Sequence, residues 1–177
     1  MPASAGARHL RSARAACPGA YAPALTLTAV RARHSTLCLI NHIRRSHGLR
    51  ALRPLVSLRR AASGFAQSMV QRGFFEHVGP DGRDLVARLR GTGFIRNDVY
   101  WTVGENLGWG VGDAARPTEI VRAWMHSGPH RHNLLARNYR RIGIGIDVGV
   151  PAASAAASAK AQGGATYAVD FGVRRHP

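Results

Sequence analysis

Ile142, Ile144, Ile146 and Val148 alternate with glycine and aspartate, the period of two that a strand with one buried face requires. Tyr167, Val169 and Phe171 repeat the pattern near the C-terminus. Strands of this kind need a covering layer, and the preceding chain supplies helices. Leu37, Ile40 and Ile43 fall at helical spacing ahead of Gly48, a glycine placed to end the helix. After Pro54, the residues Leu58, Ala61, Ala62, Phe65 and Met69 recur on one face as far as Gly73. Asp84 is placed to cap a short helix carrying Leu85, Val86 and Leu89. Pro117 opens another, with Glu119 in its first turn, where the helix dipole favours an acid, and Ile120, Val121, Trp124 and Met125 as its buried stripe. Between these helices Val99–Val103 reads as extended, and four glycines follow within residues 104–112. Helices early and strands late give an α+β fold in one domain, a size that 177 residues support.

Residues 1–34 read as an irregular arm with arginines, prolines and glycines but no acid, and the domain proper as 35–175. The Ala/Ser/Gly-rich tract within residues 150–165 has little to bury and reads as a flexible loop between the last two strands. Cys17 and Cys38 are the two cysteines. In a reducing compartment they are two thiols; in an oxidising one they suit a disulfide that tethers the arm to the domain.

The formal net charge is +16, and Lys160 is the one lysine among 25 basic residues. An arginine-rich surface of this kind attracts polyanions. Nucleic acid is not the expected partner, because no nucleic-acid-binding motif accompanies the charge and no aromatics interleave with the arginines as stacking platforms. No apolar run reaches the ~18 residues of a membrane-spanning helix. No signal peptide is evident from Met1, since Met1–Ala16 lacks the required apolar run of ~7–15 residues.

Reactive side chains concentrate in three stretches: Phe74-Phe75-Glu76-His77, Gly104-Glu105-Asn106-Leu107, and Trp124 to Asn133 with His126, Ser127, His130 and His132. Singly, each is as well explained by packing, capping or solvation. Together, imidazoles and a carboxylate from separate segments are what zinc or a general acid–base pair requires.

The order of these motifs resembles the bacterial CAP superfamily, the SCP-domain group that includes cysteine-rich secretory and plant pathogenesis-related proteins. Asn41, Arg44, Gly48 and Leu49 match its opening helix; Phe75, His77, Asp81 and Gly82 match its histidine loop. Gly104, Glu105, Asn106, Leu107 and Gly110 match the G-E-N motif. Trp124, Met125, Ser127, His130, Arg131, Asn133, Leu134 and Leu135 match the second histidine run. Arg141, Gly143, Ile144 and Gly145 match the following strand, and Phe171-Gly172 the last.

The resemblance implies a three-layer α-β-α sandwich and a secreted or envelope-associated protein, expected to be a monomer. It implies a cleft in which His77, Glu105 and His130 match three members of a tetrad of two histidines and two acids. Where the fourth acid stands in eukaryotic members this chain has Ser127; Glu119 is the nearest acid, and His132 is an added imidazole that would share a face with His130 in an extended segment. Zn2+ held by His77 and His130 is the cofactor this implies. The cleft is expected to bind a small apolar ligand or a cell-wall polymer, with Asn106, Glu119 and His132 as further ligand-binding candidates and Phe74, Phe75, Leu107 and Trp109 as apolar lining. The alternative is a hydrolase, a peptidase or nuclease, using His77, Glu105 and His130 with Ser127 as the hydroxyl within the motif.

Overall fold

In the computed structural model, which describes residues 16–23, 28–151 and 163–175, the first helix α1 spans Ala29–Ser46. It starts six residues before the boundary read from sequence, so the arm assigned to 1–34 is helical from Ala29. Thr28 caps it by accepting a hydrogen bond from the Arg31 amide at 3.3 Å. Its first buried positions are Ala32, Ser35 and Thr36, small or hydroxylated side chains that leave no apolar period to read. The Ser35 and Thr36 hydroxyls donate to the Arg31 and Ala32 carbonyls one turn back, and Ser35 also reaches the Pro18 carbonyl at 2.7 Å.

The segment before α1 is fastened to the body. Cys17 and Cys38 form a disulfide, and the Ala20 carbonyl accepts from both the amide and the hydroxyl of Thr118. Closing a loop with a sequence separation of 21 contributes about 3 kcal/mol through the restricted unfolded chain.

Beyond α1 come the short strand β1 (Arg53–Pro54), helix α2 (Val56–Arg72), helix α3 (Leu85–Gly91) and strand β2 (Tyr100–Gly110). A 3-10 turn at Gly112–Ala115 leads into α4 (Pro117–His126) and α5 (Gly128–Leu135), and strands β3 (Arg141–Val148) and β4 (Ala165–Arg175) complete the described fold. Asp84 caps α3 as its position implies, accepting from the Ala87 amide at 2.8 Å. The flexible-loop reading falls mostly on 152–162, outside the described residues.

The strands form one sheet in the order β1-β3-β4-β2, with β1 parallel to β3 and the other pairs antiparallel. Side-chain alternation divides the core into two layers. On one face Ile142, Ile144 and Ile146 of β3 and Tyr167, Val169 and Phe171 of β4 meet α1 and α4 through Leu39, Ile40, Ile43, Ile120, Val121 and Trp124. On the other, Leu107 of β2 and Ala168 of β4 lie under Ala62, Phe65, Ala66 and Met69 of α2. The result is the α-β-α sandwich. Gly143 and Gly145 set its thickness: a Cβ on either would stand 2.1–2.2 Å from the α2 backbone at Leu58 and Ala62.

Two residues of the opening-helix motif are structural clasps. Asn41 donates to the Leu52 carbonyl at 3.0 Å and accepts from the Leu52 amide at 2.8 Å. Arg44, fully buried, donates to the carbonyls of Arg50, Leu134 and Ala136 and so ties α1 to the end of α5.

Candidate functional site

β2 is an edge strand, and its alternation decides what the site contains. Glu105 and Leu107 face the α2–α3 layer, whereas Gly104, Asn106 and Gly108 face α4 and α5. The glycines of this stretch lie inside a continuous strand. A Cβ at Gly104 would meet the Tyr139 hydroxyl and Asn133, and one at Gly108 would meet Trp124.

Glu105 is the hub. Its carboxylate, 3% exposed, accepts from His77 Nδ1 at 2.7 Å through one oxygen and from Arg88 Nη2 at 2.5 Å through the other. A carboxylate can only accept, so His77 carries a proton on Nδ1. That leaves Nε2 as the free ring nitrogen of a side chain that is 60% exposed. Arg88 is itself held by donation to the carbonyls of His77 and Arg83 and by stacking on the Phe65 ring, 3.4 Å from its centroid. The loop bearing His77 is therefore fixed at both its backbone and its imidazole.

Asp170 completes the cluster and was not among the candidates from sequence. It stands opposite Glu105 in the β2–β4 ladder and is fully buried. No donor among the described residues reaches either of its oxygens. Burial, reinforced by the Glu105 charge beside it and only partly offset by Arg88, pushes its carboxyl well above the usual range. The neutral form of Asp170 is therefore favoured beside the Glu105–Arg88 pair.

His77 and His130 are displaced in opposite directions. The hydrogen bond to Glu105 raises His77 against the opposing effect of its burial. Burial lowers His130, and the neighbouring His77 lowers it further. One ring is thus shifted toward imidazolium and the other toward neutral imidazole, within electrostatic reach of each other.

Asn106, fully buried, donates to the His130 carbonyl at 3.0 Å and accepts from Asn133 at 3.0 Å. Asn133 also donates to the Glu105 carbonyl. Asn106 thus positions α5 against β2 from inside the protein. The segment carrying His130 and His132 is helical. Two residues along a helix diverge by about 200°, so the shared face that an extended segment would give is absent; His132 is exposed. Glu119 pairs with Arg122 on α4. The Ser127 hydroxyl makes no hydrogen bond with either cleft histidine, and its backbone links α4 to α5 instead.

The model of the cysteine-rich secretory protein family, CAP, matches residues 37–150, which hold every one of these site residues except Asp170. The chain belongs to the CAP family. The chain is similar to two proteins of Bacillus subtilis: the uncharacterized protein YkwD, 33% identical over 107 residues, and the uncharacterized membrane protein YlbC, 31% identical over 111. The matches take in 60% and 63% of this chain but only 39% and 30% of theirs. Among solved structures, an extracellular SCP-domain protein of Bacillus anthracis superposes with a TM-score of 0.61 at 21% identity, over 82% of this chain and 43% of that one. An outer surface protein of Borrelia burgdorferi gives 0.66 at 17%, over 84% and 97%. These likenesses establish the CAP fold.

Both Glu105 oxygens are engaged, one by a guanidinium, and among the described residues no three His, Cys, Asp or Glu side chains gather as ligands. Among the described residues, no helix is long and apolar enough to cross a membrane.

Proposed function

We propose that this is an extracellular or envelope-associated binding domain whose cleft takes a cell-wall ligand by an oxygen acceptor at His77. The observation that carries this reading is the use of Glu105: both oxygens are spent holding His77 and Arg88, and the hydrogen bond to Glu105 favours the charged, donating form of the exposed imidazole. Phe75 and Val78, on either side of it in the loop, are 39% and 49% exposed and offer apolar surface to the rest of the ligand. Support for the location comes from the extracellular and outer surface proteins that share the fold.

Soluble peptidoglycan fragments provide the test, titrated into isotope-labelled protein while the His77 and His130 rings are followed. Saturable shifts at both rings are expected, with about tenfold weaker binding in His77→Ala, the loss of one charge-assisted hydrogen bond. Unchanged affinity in that variant would place binding elsewhere.

A hydrolase is the second reading, favoured by the opposite displacement of the two imidazoles, which suits an acid–base pair. Against it stands Ser127, unengaged by either base. Fragment cleavage lost in His130→Ala would establish turnover.

A further inference from the structure

The opposite edge of the sheet carries an arginine-lined concavity. Arg50, Arg53, Arg140 and Arg141, with Ala51, surround a concavity of about 580 Å³ beside β1. Arg53 and Arg141 are register partners on adjacent parallel strands, which places their Cα atoms side by side about 4.8 Å apart. Behind them lies Arg44, fully buried, with Nη2 unpartnered. Burial lowers its affinity for its proton, and the charge of Arg140 lowers it further.

Among the described residues no ion pair neutralises this cluster. No aspartate or glutamate occurs before Glu76, and none between Glu119 and Asp147, the two tracts that build the concavity. Each ion pair among the described residues lies within residues 77–122, and none involves these arginines. Four guanidiniums around one hollow repel one another, and a bound anion relieves that repulsion.

We propose that this concavity binds phosphate groups of a base-free phosphodiester polymer. Each guanidinium presents a planar fork of N–H donors. Arg50 and Arg53 come from the segment between α1 and α2, Arg140 and Arg141 from the entry into β3, so the arginines line the hollow from two segments; Arg140 also donates through Nη1 to the Arg137 and Tyr139 carbonyls. A tetrahedral phosphate offers oxygens in several directions and meets such a set better than a planar carboxylate does. No aromatic side chain lines the hollow, so it has no platform on which nucleic-acid bases could stack. The site is independent of the His77 cleft.

Fluorescence anisotropy with a labelled poly(glycerol phosphate) oligomer tests it on the full chain, from 50 to 200 mM salt. Arg53→Gln/Arg141→Gln is expected to bind at least tenfold more weakly and with a shallower salt dependence. The charge-matched control Arg72→Gln/Arg90→Gln, exposed arginines elsewhere, should stay within about twofold of wild type. His77→Ala should bind as wild type, separating this site from the cleft. Inorganic phosphate should compete only weakly, since it occupies one position where the polymer offers many. Equal losses in both double variants would reduce the binding to diffuse charge and overturn the site. Tighter binding of polyuronate or of an oligodeoxynucleotide would overturn the assigned ligand class.

Discussion

Replacing Arg88 with methionine is expected to destabilise the protein by about 3–5 kcal/mol. The side chain is 8% exposed and lies against a carboxylate that is 3% exposed, with the fully buried Asp170 beyond it. Methionine retains much of the packing on Phe65 but leaves Glu105 a buried charge answered only by His77. It also releases the carbonyls of His77 and Arg83. For a domain whose whole stability is about 5–15 kcal/mol, the loss is a large share. Urea denaturation should show a lower midpoint at an unchanged slope. Adding Glu105→Gln removes the stranded charge, so the double variant should lose clearly less than the two single losses combined. Additive losses would mean that Arg88 acts through packing alone.

Gly143→Ala is expected to do comparable damage for a different reason. The new Cβ would stand 2.1 Å from the Leu58 carbonyl carbon and 2.3 Å from the Arg59 amide nitrogen. These are backbone atoms of a helix seated on the sheet, with no rotamer to escape into. The helix must lift, at or beyond the upper end of the about 1–3 kcal/mol typical of overpacking. Gly64→Ala in the same helix is the contrast. Nothing lies within 4 Å of its added Cβ, and it should gain about 0.5–1 kcal/mol from helix propensity. Thermal melts of the two variants should therefore move in opposite directions. A Gly143→Ala melt at wild-type temperature would show that the layers are not in backbone contact.

The sequence disclosed the fold where one face of an element is uniformly apolar. Ile142, Ile144 and Ile146 gave away β3, and Leu58 to Met69 gave away α2. It concealed elements whose buried faces are small. The start of α1 buries Ala32, Ser35 and Thr36, and β2 continues through glycines that let neighbouring side chains approach, so neither shows a hydrophobic period. Pro129 stands in the first turn of α5, where its missing amide hydrogen costs nothing.

The site was partly legible for a similar reason. His77, Glu105 and His130 sit in recognisable motifs, and the structure brings the first two into contact and the third within electrostatic range. Asp170 did not stand out, because one acid among Val169, Phe171 and Ala168 signals nothing by itself. Its meaning comes from strand register, which pairs it with Glu105 from 65 positions away. Arg88 was one of many arginines until the fold buried it.

The most direct measurement is an NMR titration of the His77 and His130 rings in the intact protein. His77 is expected to release its proton above the ordinary imidazole value of 6.5 and His130 below it, so that between the two titrations one imidazolium stands beside one imidazole. By linkage, the stability that His77 gains from Glu105 is fully present below the unfolded value and is lost as pH rises through the folded one. His130 acts in the opposite sense at lower pH. In Glu105→Gln the His77 titration should fall toward the ordinary value while His130 rises less. If both rings titrated together near 6.5, with Glu105→Gln without effect, Glu105 would not be holding His77 as the cationic donor of the cleft.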